Sequence, residues 1–413
     1  MFKRVSQERI FCGLDLGTQK LKAAVLKVAE NNVTEFLGVY DVPIQGFKES
    51  GVSNLEELSG CIHSTLTELS KRSQTKIKDV QLGLSGDLIE TREVITALPL
   101  IDKGSKVIVN RDIKKINHQA KLLGLKMDEE ILHELPQYYQ VDDVNTALNP
   151  AGLYGRKLGV CSLMVMTHVN RIQNIVLAVT RGGYDVDNIF FSGLAGAEVV
   201  LSDDDKLYGA IVVDIGCSVS NVLIFKDRGL KFLGKIDMGG DAVTKSIAAK
   251  LNVSFTLAEE IKRTYADVSL SLKHSQEEIL IKRDNAYVPL RRDLIYQAIE
   301  PLTNEFLQNL QNVLQKSALF HHIDRGVIVI GGGALLNGLM ERMEEFLSIP
   351  VRLGKINIPM QKTLNQACLY APVIGLAQSG LVKKSNDHVF RNGHKDWTQF
   401  AVSKMRELYQ EYF

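Results

Sequence analysis

The sequence predicts a duplicated α/β architecture with a cleft between two halves, and three segments carry that expectation. Residues 10–28, IFCGLDLGTQKLKAAVLKV, read as an apolar strand, an Asp-x-Gly turn and a second apolar strand. Residues 210–225, AIVVDIGCSVSNVLIF, repeat the design later in the chain. Residues 325–347, RGVIVIGGGALLNGLMERMEEFL, read as a strand, Gly331-Gly332-Gly333 and an amphipathic helix with Leu335, Leu336, Leu339 and Met343 at helical spacing. Near-continuous apolar runs fit strands buried on both faces, and the β-branched content of VVDI and VLIF favours strand over helix. Glycines at a strand-to-helix turn let backbone approach a ligand closely, and a helix N-terminus favours anions.

The rest of the chain fills in around these segments. Residues 55–73 and 168–183 have amphipathic helical spacing, and 293–319 read as a long helix that Pro301 ends or bends. Residues 85–162 differ in texture, mixing short strands with one helix near 111–124, and read as an inserted α+β subdomain. Residues 383–395 are polar and aperiodic and read as a linker.

Composition narrows the function classes. At 413 residues, with 45% hydrophobic and 23% charged residues, the chain is an ordinary globular sequence long enough for two or more units. A formal net charge of +1 writes no strong attraction to nucleic acid into the chain as a whole. Five scattered cysteines without a CxxC pair point to neither a zinc site nor a disulfide framework and fit a reducing cytoplasm. Asp15 interrupts the only apolar stretch near the basic N-terminus, so that segment is not read as a signal peptide, and no apolar run is long enough to span a bilayer. A membrane role therefore requires a helix that lies on the surface.

The two hairpins and the glycine turn form a phosphate-binding constellation. Asp15 and Asp214 end matching strands, each two residues before a glycine, Gly17 or Gly216. Two carboxylates facing across a cleft suit Mg²⁺ held mostly through water. Thr18 and Ser220 offer hydroxyls to phosphate, Lys20 offers charge, and backbone N–H groups of both turns complete a cradle. Asp-x-Gly alone is common turn chemistry; its duplication together with the strand–GGGA segment is what points to a nucleotide.

With these motifs the chain resembles the actin-like ATPase superfamily and, within it, the FtsA family of bacterial division proteins. The resemblance runs over nearly the whole chain, through GLDLGTQKLKAAV, NPAGLYGRKLGV, LAGAEVVLSDDDKLYGAIVVDIG, MGGDAVTKSIAAKL, AEEIKRTYA and VIVIGGGALLNGL. It implies an actin-like two-lobed fold of duplicated ribonuclease-H-like domains. Subdomain 1A would comprise 1–84 and 163–205, closed by a helix near 363–382. A 1C-type insert would span 85–162, subdomain 2A 206–240 and 321–362, and subdomain 2B 241–320. ATP and Mg are the implied cofactors. Asp15, Gly17, Thr18, Gln19 and Lys20 would form the first phosphate loop, and Asp214, Gly216, Cys217, Ser218 and Ser220 the second. Gly239, Gly240, Glu259, Lys262, Gly331, Gly332, Gly333 and Ala334 would surround the adenosine.

Two departures change the implied task. The family's second loop usually reads DIGGGTTD, whereas Cys217, Ser218, Val219, Ser220 and Asn221 stand here. Asn221 lacks the charge of aspartate, and a Cβ at Ser218 is expected to disturb the turn or phosphate approach. Where relatives place Glu or Gln near the attacking water, this chain has Ser192 and Gly193. Serine positions a water less well than a longer carboxylate or amide, so ATP binding with very weak hydrolysis is expected.

Residues 396–413, DWTQFAVSKMRELYQEYF, place Trp397, Phe400, Ala401, Met405, Leu408, Tyr409 and Tyr412 on one helical face. Gln399, Ser403, Arg406, Glu407 and Gln410 lie opposite. This is the pattern of an interfacial helix, and the resemblance implies membrane targeting there; a helix docked on protein is the competing reading. The tail is not basic, so attraction to anionic lipid falls mainly to Lys383, Lys384, Arg391 and Lys395. The resemblance further implies that the C-terminal peptide of FtsZ docks on 241–320, where Arg291, Arg292 and Tyr296 combine basic and aromatic groups. It also implies self-assembly into filaments, contacts with inner-membrane lipids and other division proteins, and a place on the cytoplasmic face of the membrane at the division site. Two alternatives share the fold. One is a PilM-like adaptor of a pilus or secretion machine, against which the amphipathic tail argues. The other is a small-molecule kinase, for which neither a base nor a sugar cleft is evident. An Hsp70-type chaperone is disfavoured by the short chain beyond residue 382.

Overall fold

The computed structural model describes residues 9–28, 34–48, 51–102, 104–269, 276–283, 286–356 and 366–385. The expected tail helix 396–413 and the linker from residue 386 onward lie outside these residues. Each lobe is built on a five-stranded sheet with one shared plan. In the first, the antiparallel meander Arg9–Leu16, Lys20–Val28 and Thr34–Pro43 continues into the parallel strands Asp79–Leu84 and Asp185–Phe191. In the second, Ala210–Ile215, Ser220–Lys226 and Gly229–Ile236 form the meander, and Val327–Ile330 and Val351–Leu353 the parallel pair. The duplication extends to register. Asp15 pairs with Lys22, and Asp214 with Asn221, so Lys22 and Asn221 occupy equivalent places in the two lobes.

The apolar strand runs are buried on both faces, as their composition requires. One face of the first sheet packs against helices Leu55–Ser73 and Val169–Arg181, through Leu58, Ile62, Leu66, Ile172 and Ile175. One face of the second packs against helices that include Arg292–Lys316 and Leu339–Leu347. Between the sheets, helices Ser192–Val200 and Ala371–Ser385 form a common layer. Val199, Val373 and Ile374 meet Ala24 and Leu26 from one lobe and Val212, Leu223 and Ile328 from the other.

The inserted α+β subdomain is a four-stranded antiparallel sheet of Glu90–Pro99, Glu129–Val141, Asn145–Ala147 and Lys157–His168. Helix Asn110–Gly124 covers one face, burying Ile116 and Ala120 against Val94, Val160, Met164 and Met166. The expected boundary at 162 falls inside the strand Lys157–His168, which is buried along most of its length. Strand burial continues past the boundary because Leu163 and Val165 leave the insert's core and join the layer between the lobes.

Two further expectations are settled in part. The helix Arg292–Lys316 runs through Pro301, so of the two effects expected of that proline, ending the helix is excluded. An interior proline costs about 3 kcal/mol or more, and burial of Ile295, Ala298 and Ile299 before it and of Phe306, Leu307 and Leu310 after it holds both halves in place. After Gly331-Gly332-Gly333 comes a short 3₁₀ turn, Gly333–Leu335, and the helix begins only at Leu339 after Gly338 at φ +76°. The triple glycine therefore brings backbone, not the N-terminus of a long helix, to the cleft.

Candidate nucleotide-binding cleft

A cavity of about 590 Å³ lies between the lobes, and the two hairpin turns both line it. The turns are built alike: the Gly17 N–H donates to the Lys20 carbonyl and the Gly216 N–H to the Val219 carbonyl, each at 3.1 Å. A Cβ on Gly216 would stand 2.7 Å from the Val219 oxygen, so the second turn requires that glycine. Cys217, Ser218 and Val219 all keep negative φ. The expected distortion of the turn by Ser218 is thus corrected, because its side chain projects across the cleft. Its Oγ lies 3.1 Å from Thr18 Oγ1, joining the two loops.

Asp15 and Asp214 are buried and line the same cavity. Burial is the main cause that raises both carboxyls above the ordinary range, and Lys22 opposes it at each. Asp214 is pushed up to about 6, with the Asp15 charge adding to the rise and the Asn221 side chain opposing it by hydrogen bonding. Ser192 Oγ donates to Asp15 Oδ1 at 2.6 Å and is itself buried. Ser192, expected as a weak water-positioning group, is therefore occupied in holding Asp15.

The remaining site residues divide clearly. Gln19, Lys20, Gly239, Gly240, Glu259, Lys262, Gly331, Gly332 and Gly333 line the cavity. Glu259 accepts from Thr244 at 2.6 Å and pairs with Lys262 at 2.6 Å. Although burial opposes it, these contacts lower the carboxyl to about 2, so it stays ionised as a fixed wall of the pocket. Ser220 is fully buried and spends its hydroxyl on the Met238 carbonyl at 2.7 Å, which corrects its assignment as a phosphate ligand. Ala334 is packed into the second lobe's core and does not reach the cavity wall with the three glycines.

Sequence reasoning missed Lys22, Asp41 and Tyr370, all on the cavity wall. Lys22 was findable: two residues beyond Lys20 on a strand, it points to the same face, and its Nζ donates to the Leu369 carbonyl at 2.8 Å. Asp41 pairs with Lys20 and accepts from the Tyr370 hydroxyl at 2.9 Å, contacts that no local pattern announces.

Outside the cleft lie the three residues expected to meet a peptide. Tyr296 is 1% exposed, with its hydroxyl on Glu300, and cannot offer its ring to a partner. It is one of the buried residues of the helix Arg292–Lys316. Arg291 pairs with Asp293, and Arg292 with Glu277 at 2.8 Å.

A nucleotide and Mg²⁺ fit this donor set. The glycine at 331 adopts φ +86°, and a Cβ there would come within 2.6 Å of Asp214 Oδ1, so backbone lies where a side chain cannot. Gly331→Ala is expected to cost about 1–3 kcal/mol, measurable as a lower midpoint in chemical denaturation. Among the described residues no group of three or more His, Cys, Asp or Glu side chains could cage a metal. Two carboxylates short of positive charge instead suit a divalent ion held largely through water and phosphate oxygens.

Comparison with known proteins agrees with this architecture. The model for cell division protein FtsA matches residues 211–375, and that for the SHS2 domain inserted in FtsA matches 86–166. Relatives named cell division protein FtsA match most of the chain. The one from Buchnera aphidicola subsp. Baizongia pistaciae is 29% identical, covering 96% of this chain and 97% of its own. That of Escherichia coli (strain K12) is 28% identical over 91% of each. This chain belongs to the FtsA family. As an FtsA-family protein it has a role in cell division. Solved structures share the two-lobed fold. The PilM–PilN type IV pilus biogenesis complex aligns with TM-score 0.65 at 17% identity, over 90% of this chain and 98% of the other. A diol dehydratase-reactivating factor aligns with TM-score 0.52 at 11% identity, over 90% and 99%. In FtsA terms the insert is the SHS2 domain, and the cleft lies between the two actin-like lobes.

Proposed function

We propose that this protein is an ATP-binding, polymerising tether that holds FtsZ filaments at the cytoplasmic face of the membrane and helps gather other division proteins. The observation that carries the reading is the convergence of Asp15, Asp214, both glycine turns and the triple glycine on one cavity. When bound, Mg-ATP would supply a charged group contacted by both lobes. Asp15 and Asp214 would face the metal's water shell, Lys22 the negative charge between them, and the Glu259–Lys262 wall the ribose and base. Ser192 fixes Asp15 and leaves its own hydroxyl unable to orient a water freely, which supports slow hydrolysis. Turnover is expected well below about 1 s⁻¹, read from phosphate release by the full-length protein.

The tail 396–413 serves as the lipid anchor in this reading. No described helix is long and apolar enough to cross a membrane. The FtsZ peptide falls to the 241–320 subdomain, near Arg291 and Arg292 and without Tyr296. Capture of FtsZ by the full-length protein, lost when the C-terminal peptide of FtsZ is removed, is the expected result. Undiminished capture of truncated FtsZ would overturn the tether.

A further inference from the structure

We propose that the inserted subdomain supplies two positioning residues of the cleft, His133 and Gln137, which fasten one strand of the insert to both lobes and couple its seat to nucleotide occupancy. The inference rests on the nucleotide reading above and deepens it.

The strand Glu129–Val141 pairs with Lys157–His168 in a register broken twice. Pairing passes from Val165↔His133 to Met166↔Ile131 and from Cys161↔Tyr138 to Ser162↔Pro136, so Leu132 and Gln137 are bulged residues. Bulges re-aim side chains that a regular strand would point elsewhere. Leu132 packs against the first lobe's core, and Leu135 against the layer between the lobes. Gln137 Nε2 donates at 2.9 Å to the carbonyl of Leu230, on the second lobe's strand Gly229–Ile236.

His133 holds the other side. Its Nε2 accepts from the Phe191 N–H at 3.0 Å, and its ring lies 5.7 Å from that of Phe190. Phe191 ends the first lobe's strand and precedes Ser192, whose hydroxyl holds Asp15. Two side chains only four positions apart on one strand, His133 and Gln137, therefore carry a grip on the Asp15 support and a grip on the opposite lobe. A change in the angle between the lobes must strain one hydrogen bond or move the insert. Nucleotide binding that alters that angle then shifts the insert, and by linkage the insert's seating alters nucleotide affinity by the same factor.

The test uses full-length wild type, Gln137→Met (near-isosteric, without the amide), His133→Ala and His133→Gln, which returns an acceptor at a similar reach. Mg-ADP affinity is titrated, and hydrogen exchange of residues 129–141 is compared with and without Mg-ADP. Wild type should bind and change its exchange there. Gln137→Met and His133→Ala should lose that change and shift affinity by about fivefold or more, with His133→Gln restoring both. Wild-type affinity and wild-type exchange response in both variants would overturn the coupling while leaving the nucleotide site intact. His133→Gln behaving as His133→Ala would overturn the role of the acceptor. Absence of Mg-ADP binding by wild type would overturn the nucleotide reading and this inference with it.

Discussion

Replacing Asp214 with asparagine should make the nucleotide-free protein more stable at pH 7.5, by about 2–3 kcal/mol, while weakening its hold on Mg-nucleotide. The folded carboxyl titrates near 6 because burial disfavours the charge and Asp15 adds repulsion, whereas an unfolded aspartate titrates near about 3.9. Below about pH 4 both states are protonated, and the stabilisation relative to the ionised form is fully present. It is lost as pH rises through about 6, where the native state must ionise a buried group. The asparagine variant has no such loss. Its advantage should be small near pH 4, grow through pH 6 and level off above it, as read from denaturant midpoints across that range. A constant difference at all pH values would contradict the account. The wild-type instability is the expected signature of a site arranged for a cation that the apo protein lacks.

Removing residues 396–413 should abolish sedimentation with anionic vesicles while leaving the melting temperature of the body nearly unchanged. The apolar face contains Trp397, Phe400, Met405, Leu408, Tyr409 and Tyr412. Full burial of a large apolar side chain is worth about 1.5–3 kcal/mol, so partial insertion of six leaves several kcal/mol of affinity to lose. Because the tail's own acidic groups outnumber its basic ones, added salt should weaken wild-type binding only modestly. Equal sedimentation of the full-length and shortened chains would place the anchor elsewhere.

The duplicated plan was legible because each hairpin announces itself locally: an apolar strand, an acid, a glycine and a second strand. Asp15, Asp214 and the turns around them needed only strand alternation and turn chemistry. What escaped depended on register or distance. Ser220 looked like a phosphate ligand, but its alternation turns it inward to Met238. Tyr296 looked like a surface aromatic until helix packing buried it. Asp41 meets Lys20 from the neighbouring strand, and Tyr370 reaches Asp41 across 329 residues of chain, a separation that no local window contains. Leu335 and Leu336 fit the helical period and so predict a helix start at the triple glycine; the 3₁₀ turn and Gly338 displace the helix to Leu339. The bulges that turn Leu132 and Gln137 outward are invisible without the partner strand.

The central claim is that both lobes close on one nucleotide, and a calorimetric titration of Mg-ATP into full-length wild type and Asp214→Asn tests it most directly. The account predicts one saturable site per chain in the wild type, weakened about tenfold or more by the substitution, a loss of about 1.4 kcal/mol or greater. No binding by the folded wild type, or equal affinity in the variant, would contradict it.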